Sequence, residues 1–152
     1  MGLLSFLFGS CSKKPAATST PNEYAQDFST PQGAILCLED AFRKRDIEAA
    51  VRCKHFPTEA KLMLKKMGSG LDNDSAIVTQ TAEVLELSFR KHTEASWPDF
   101  NGLQVSFGAQ VPFGDGIEIV PETFRYPDGG TAIQKHYVTK TTEGWRVLNL
   151  AE

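Results

Sequence analysis

The sequence has only three cysteines, an odd number, spread over 152 residues. Such a set argues against a disulfide framework, and no cysteine or histidine has a partner at the spacing of a metal site. Cys37 and Cys53 fall within apolar helical patterns, where a small buried hydrophobic residue is the expected role. Stability must therefore come from a hydrophobic core, and a chain of this length can bury one in a single domain.

A surplus of basic residues is also missing. The chain has 16 Lys and Arg against 19 Asp and Glu, which gives a formal net charge of -3. Nucleic-acid binding depends on clustered positive charge, so the composition does not favour a nucleic-acid partner. The acidic surplus continues in residues 95–152, with 4 basic and 7 acidic residues, and is compatible with a basic protein partner.

Long hydrophobic runs are absent. The apolar run at the start, Leu3 to Phe8, has six residues, whereas a membrane-spanning helix needs about 20. No Lys or Arg precedes it, as a secretory signal would require. Phe8-Gly9-Ser10-Cys11 resembles a degenerate lipoprotein box, in which Cys11 would carry the lipid. Two interpretations stay open: a leader that packs loosely or touches a membrane surface, and a lipid anchor at Cys11.

The segment after this leader is rich in Ser, Thr, Pro and Ala, which is typical of a flexible tether. We therefore predict an apolar leader and tether over residues 1–27 and a single domain over residues 28–152. A tether suits an anchored and an unanchored protein equally. The expected localisation is cytoplasmic, with a membrane-anchored lipoprotein as the alternative.

Four helical patterns fill the first part of the domain. Thr30 is a good N-cap, and Asp46, Thr58 and Asp74 (or Ser75) are expected to begin the next three helices. The last helix is the longest, from about residue 76 to 93. Apolar residues recur at helical spacing in each of them, which predicts one buried face per helix.

Four strand patterns fill the second part. The alternation over residues 103–111 predicts a half-buried strand, and further strands are expected at 117–126, 131–141 and 145–150. Pro121 predicts an edge position or a bulge in the second of these. Short turns between them favour an antiparallel meander, so the fold class is α+β. The predicted core residues are Leu38, Phe42, Val78, Leu85, Phe89, Val105, Phe107 and Val147.

Three segments carry a family resemblance. The helix opening at Thr30-Pro31-Gln32-Gly33-Ala34, the immediate second helix at Asp46-Ile47-Glu48-Ala49-Ala50 and the closing Gly144-Trp145-Arg146-Val147-Leu148 resemble the nuclear-transport-factor-2-like superfamily over about residues 30–150. The resemblance implies N-terminal helices packed on a curved antiparallel sheet of about four strands, which form a cone. The family often places a strand between its early helices, whereas residues 57–94 here follow a helical pattern.

The resemblance leaves the activity open, because the superfamily includes isomerases, dehydratases, cyclases, scaffolds and toxin-neutralising immunity proteins. Catalytic members place acids, bases or hydroxyls inside the cone. His55 and His92 are expected to face solvent, and His136 is expected to point outward if the strand face of Ile133 and Tyr137 points inward. No acid–base pair can be placed from spacing, so we predict no catalytic residue. No motif indicates a cofactor or a metal.

Two sets of candidate binding residues remain. If the cone holds a ligand, Tyr137 would supply a hydroxyl, and the aromatic lining would come from Trp97, Tyr126 and Trp145. If the sheet half docks a partner, its turns and polar strand positions would contact that partner through Asp115, Asp128, Gln104 and Gln110.

The favoured function is a non-enzymatic protein-binding domain, in an immunity-like or accessory role in a bacterium, with a toxin as one candidate partner. The first alternative is a small-molecule-binding or isomerase/cyclase-like enzyme that uses the cone interior. The second is an envelope protein anchored through Cys11. The resemblance also implies homodimerisation through the exposed sheet face. The interior decides between the first two: an enzyme needs converging polar groups that a substrate can reach.

Overall fold

The computed structural model describes residues 23–150, so the leader and Cys11 lie outside the described residues. The helices are α1 Pro31–Lys44, α2 Ile47–Arg52, α3 Phe56–Lys66 and α4 Ser75–Ala95, with a 3-10 turn at Leu71–Asn73. The strands are β1 Gln104–Phe107, β2 Val111–Gly114, β3 Ile117–Arg125, β4 Thr131–Thr141 and β5 Gly144–Leu148. Helices followed by a curled antiparallel half-barrel confirm the predicted α+β class.

Side-chain caps determine where the helices begin. The predicted caps Thr30, Asp46 and Asp74 each accept a backbone N–H from the first turn of their helix, which satisfies a donor that the helix itself leaves unpaired. The cap predicted for α3, Thr58, was wrong by three residues. His55 caps it, with Nδ1 accepting the N–H of Thr58 at 3.3 Å, since the proline between them is tolerated in a first turn.

The sheet has the strand order β1-β3-β4-β5, and β2 also pairs with β3. The single strand predicted over residues 103–111 is therefore divided into β1 and β2, which lie one after the other along the same side of β3. Pro121 lies where they meet. Its carbonyl accepts the N–H of Gly108 at 2.8 Å, so its nitrogen faces the break between the two strands, and the missing N–H costs little there.

The main core lies between α1 and the strands β3, β4 and β5, and it is built from Ala34, Ile35, Leu38, Ala41, Val120, Val138 and Val147, among others. Three of the eight predicted core residues are buried: Leu38, Val105 and Val147. The other five are half-buried and pack against the core clusters. Two of the largest fully buried side chains are glutamates, which the apolar patterns did not predict.

The outer edge of β5 is bonded by two segments from the helical half. The N–H groups of Trp145 and Val147 donate to the carbonyls of Phe28 and Cys53, each at 2.8 Å. Lys54 forms an isolated parallel bridge with Val147. The loop between α2 and α3 thus adds a short extended piece to the sheet, in the region where the family resemblance implies a strand.

The contact between Trp145 and the Phe28 carbonyl leaves no room for a side chain at Gly144. Its φ is +106°, and a Cβ at this position would lie 2.5 Å from the carbonyl oxygen of Phe28. We expect Gly144→Ala to lower the free energy of unfolding by about 1–3 kcal/mol or more, because the strained φ and the clash add together. Gly129→Ala is the control: its φ is +91°, with nothing within 4 Å. If urea denaturation showed the same loss of stability for both variants, the Phe28 contact would be unimportant.

Candidate functional site

Three titratable side chains meet inside the main core. Glu39 comes from α1, Glu122 from β3 and His136 from β4. Glu122 is 0% exposed and Glu39 is 2% exposed, and His136 Nε2 lies 2.6 Å from Glu122 Oε2. Glu39 follows Ile35 by four residues, which places both on the buried face of α1. In the strand register, His136 lies opposite Val120, so Glu122 is its diagonal neighbour on the same face.

Burial favours the uncharged form of each group in this cluster. It raises the pKa of Glu39 to about 9, with a further contribution from Glu122, and it also raises the pKa of Glu122. The pKa of His136 is lowered to about 4 by burial. Arg43 Nη2, 3.5 Å from Glu39 Oε2, opposes the first shift. At neutral pH, Glu39 therefore holds a proton and His136 is neutral.

The condition attached to the expected orientation of β4 is not met. An outward His136 was expected on the condition that the Ile133 and Tyr137 face points inward, yet Ile133 is 71% exposed, whereas the His136 side chain is only 12% exposed. The reason lies in β3, where Val120 and Phe124 are buried on the face that also carries Glu122. Pairing with β3 fixes which side of β4 joins them, so the cross-strand register overrides the alternation within β4.

The other two histidines have separate roles. His55 caps α3 and is half-buried, so the expectation that it faces solvent was wrong. His92 is exposed, as expected, and its Nδ1 lies 2.8 Å from the carbonyl oxygen of Ser88.

A groove on the surface lies between α3, α4 and the residues that follow β5. It has a volume of about 590 Å³, and most of its lining is apolar: Leu62, Met63, Leu85, Phe113 and Leu150. We call it the α3 groove. A second hollow of about 460 Å³ adjoins it, and the two share Glu59, Leu85 and Asn149. The side chains of Met63 and Phe113 are 43% and 54% exposed, so solvent reaches the apolar lining.

A buried ion pair closes the floor of the α3 groove. Lys54 Nζ lies 2.6 Å from Glu59 Oε1, and the two side chains are 0% and 6% exposed. The N–H of Asn149 donates to the same oxygen at 2.7 Å. Lys54 Nζ also lies over the rings of Phe56 and Phe89, 5.9 and 5.5 Å from their centroids. Burial lowers the pKa of Lys54, and Glu59 opposes that shift. The pair thus joins α3 to the outer edge of β5 and to Asn149, the residue that follows this strand.

An exposed ion pair crosses the rim of the same groove. Lys65 Nζ on α3 lies 3.0 Å from Asp115 Oδ1 in the β2–β3 turn, and both side chains are more than half exposed. A pair of this kind contributes little to stability in water. It can therefore exchange for another charged partner at low cost.

The four aromatic residues predicted to line a ligand pocket lie in different surroundings. Trp97 is edge-on to Phe42, with centroids 6.4 Å apart, and Trp145 packs against the main core. Tyr137 lies edge-on to a phenylalanine of β2 at 5.1 Å. Tyr126 is 42% exposed near the β3–β4 turn.

The four residues predicted to contact a partner are also dispersed. Asp115 and Asp128 lie in the turns at opposite ends of β3, a strand of nine residues that spans about 30 Å. Asp128 accepts a backbone N–H within its own turn. Gln110 Nε2 donates to a glutamate of β3 at 2.6 Å, and Gln104 is exposed on β1. Of the four, Asp115 is the one that lines the α3 groove.

The sequence contains local signals for these buried groups, which the apolar patterns leave unassigned. Glu39 occupies an apolar-stripe position of α1, and Glu122 stands between Val120 and Phe124 in the alternation of β3. A charged residue at such a position is usually taken as half-exposed, because buried charges are rare. Two such residues in elements expected to pack together indicate a buried cluster.

Comparisons with known proteins give no relative. No protein-family model matches the chain, and neither a curated protein nor a solved structure does. Within residues 23–150, no group of His, Cys, Asp and Glu has an arrangement that could hold a metal ion. No helix in this range is long and apolar enough to cross a membrane. The structure itself shows an α+β half-barrel, which is compatible with a nuclear-transport-factor-2-like cone.

Proposed function

We propose that this domain is a non-enzymatic protein-binding module and that its partner docks in the α3 groove. The supporting observation is the contrast between the two polar sites and the groove. The acid–base groups Glu39 and Glu122 are enclosed in the core, where a substrate does not reach them. The groove instead exposes Met63 and Phe113, and methionine and aromatic side chains are enriched in protein interfaces.

The charge at the groove rim favours a partner segment that carries an apolar side chain next to acidic residues. Lys65 lines the rim at the end of α3, where its exposed ammonium pairs with the exposed carboxylate of Asp115. A partner carboxylate can replace Asp115 at Lys65, since the existing pair is exposed. An acidic segment is the opposite of the basic partner expected from the composition. The local charge, not the net charge of the chain, decides contacts at close range.

Within this proposal, the family resemblance suggests an immunity-like or accessory role in a bacterium. A toxin bound through the groove would be neutralised by occlusion. The lipid anchor at Cys11 is a separate proposal about location. The mass of the mature protein tests it, because a diacylglycerol on Cys11 would establish the anchor and an intact Met1 terminus would eliminate it.

We expect Met63→Asp and Phe113→Asp to weaken binding of the partner at least tenfold, or about 1.4 kcal/mol, because each places a charge in an apolar contact. The measurement is titration calorimetry with the purified product of the neighbouring gene. Leu87→Asp is the control, since Leu87 is 66% exposed on α4 but does not line the groove.

Three outcomes would reject this assignment. Groove variants that bind as tightly as the wild type would exclude the α3 groove as the docking site. Sedimentation that shows a dimer, lost in the same variants, would make a second copy the occupant of the groove. Saturable turnover of a small ketone or polyketide, abolished by Tyr137→Phe, would replace the binding function with an enzymatic one.

A further inference from the structure

The proposed function leaves the Glu39–Glu122–His136 cluster unexplained. Both carboxyl oxygens of Glu39 and Oε1 of Glu122 are buried and form no hydrogen bond. Arg43 Nη2 lies 3.5 Å from Glu39 Oε2, which is longer than a good N–H···O hydrogen bond. Ionised carboxylates only accept hydrogen bonds, so two of them side by side cannot satisfy each other. A proton on Glu39 changes this, since the resulting O–H donates to Glu122. Burial without a close donor therefore favours a protonated form in the closed core.

We infer that Glu39, Glu122 and His136 form a proton-operated lock between α1 and the sheet. The lock holds while Glu39 carries its proton, and it loosens when the proton is lost. The three groups are well placed for this role, because each comes from a different element of the main core: α1, β3 and β4. A change at the cluster therefore acts on the contact between the helix and the strands.

The end of α1 is the part that such a change would move. Phe42 follows Glu39 by less than one turn, and its ring stacks on Phe100 with centroids 6.1 Å apart and an angle of 8°. The Arg43 guanidinium lies 5.7 Å from the centroid of the Phe100 ring. Trp97 lies edge-on to Phe42. The segment after α4 thus rests on α1 beside the lock.

The charged groups around the lock act in both directions. Arg43 on α1 favours the ionised form of Glu39, Glu122 on β3 disfavours it, and His136 on β4 favours it. Lys54, from the loop before α3, opposes protonation of His136. Burial exceeds these contributions, so Glu39 retains its proton through neutral pH.

The dependence of stability on pH follows from these directions. The pKa of Glu39 is about 9 in the folded protein against 4.5 unfolded, so its contribution is complete below about pH 4.5 and is lost as the pH rises toward 9. The pKa of His136 is about 4 in the folded protein against 6.5 unfolded. Its contribution is complete above about pH 6.5 and is lost as the pH falls toward 4. Maximum stability is expected at mildly acidic pH.

The test is the unfolding equilibrium between about pH 7 and 8.5, where His136 is mostly neutral in the folded and the unfolded protein and Glu39 determines the slope. For the wild type, one proton released on unfolding raises the unfolding constant by up to about tenfold per pH unit. Glu39→Gln should remove most of this dependence, because the amide donates to Glu122 and cannot ionise. Glu118→Gln is the control on β3. It should keep the wild-type slope, since Glu118 is half-buried outside the cluster.

A second measurement leaves the cluster intact. The chain has two tryptophans, so Trp145→Phe isolates Trp97, whose emission should shift reversibly to the red between pH 6 and pH 9. Adding Glu39→Gln should abolish that shift. A wild-type stability that is constant over the range, or equal slopes in the wild type and Glu39→Gln, would overturn the lock. Trp97 emission that is independent of pH would exclude movement at the end of α1.

Discussion

Glu59→Ala should lower the free energy of unfolding by about 3–5 kcal/mol, the typical cost of removing one partner of a buried ion pair. The change leaves the Lys54 ammonium without its carboxylate although its side chain is 0% exposed. It also removes the acceptor of the Asn149 N–H, a contact between residues 90 positions apart. Urea denaturation of the purified domain measures the loss. The total free energy of unfolding of a domain of this size is only about 5–15 kcal/mol.

Two comparisons isolate the buried charge as the cause. The double variant Lys54→Met/Glu59→Leu should recover most of the stability, because an apolar pair of similar volume replaces the ions. Asp115→Ala removes the exposed ion pair with Lys65 and should cost no more than about 1 kcal/mol. If Glu59→Ala and Asp115→Ala had equal costs, water would have to reach Lys54, and the closed floor of the groove would be wrong.

Ile35→Ala is the second large expected effect, at about 2–5 kcal/mol. Ile35 is 0% exposed in the main core, so truncation loses burial of the side chain and leaves a cavity against the sheet. The same substitution at Ile133, which is 71% exposed, should change stability by less than about 0.5 kcal/mol. Denaturation of the two variants in parallel measures the difference.

This pair of variants also tests the orientation of β4. If the Ile133 face were the buried one, Ile133→Ala would be the costly substitution. Ile35 would then have no partners on the sheet, and its truncation would cost little. A large loss at both positions would mean that another element covers the outer face of the sheet.

The helices could be predicted because their signals are local. A cap such as Thr30 or Asp46 lies next to the stripe that it begins, and both features are read within one turn of helix. The start of α3 was missed because a histidine side chain took the capping role, which Ser, Thr, Asp and Asn usually fill.

The faces of the strands could not be predicted in the same way. Within β4, the face that carries Ile133 and Tyr137 looks more apolar than the face that carries His136. Register with β3 makes the opposite choice, and register depends on pairing between segments rather than on either segment alone. For the same reason, neither buried carboxylate could be assigned a partner from the sequence.

The bonded edge of β5 has a consequence for self-association. Two N–H groups that an incoming chain would need, those of Trp145 and Val147, already donate to carbonyls of the same molecule. The opposite border of the sheet is divided between the short strands β1 and β2, which offers no long regular ladder. Strand-to-strand polymerisation requires a continuous open row of backbone donors and acceptors. Within the described residues, the sheet is therefore built to resist fibre growth from either side.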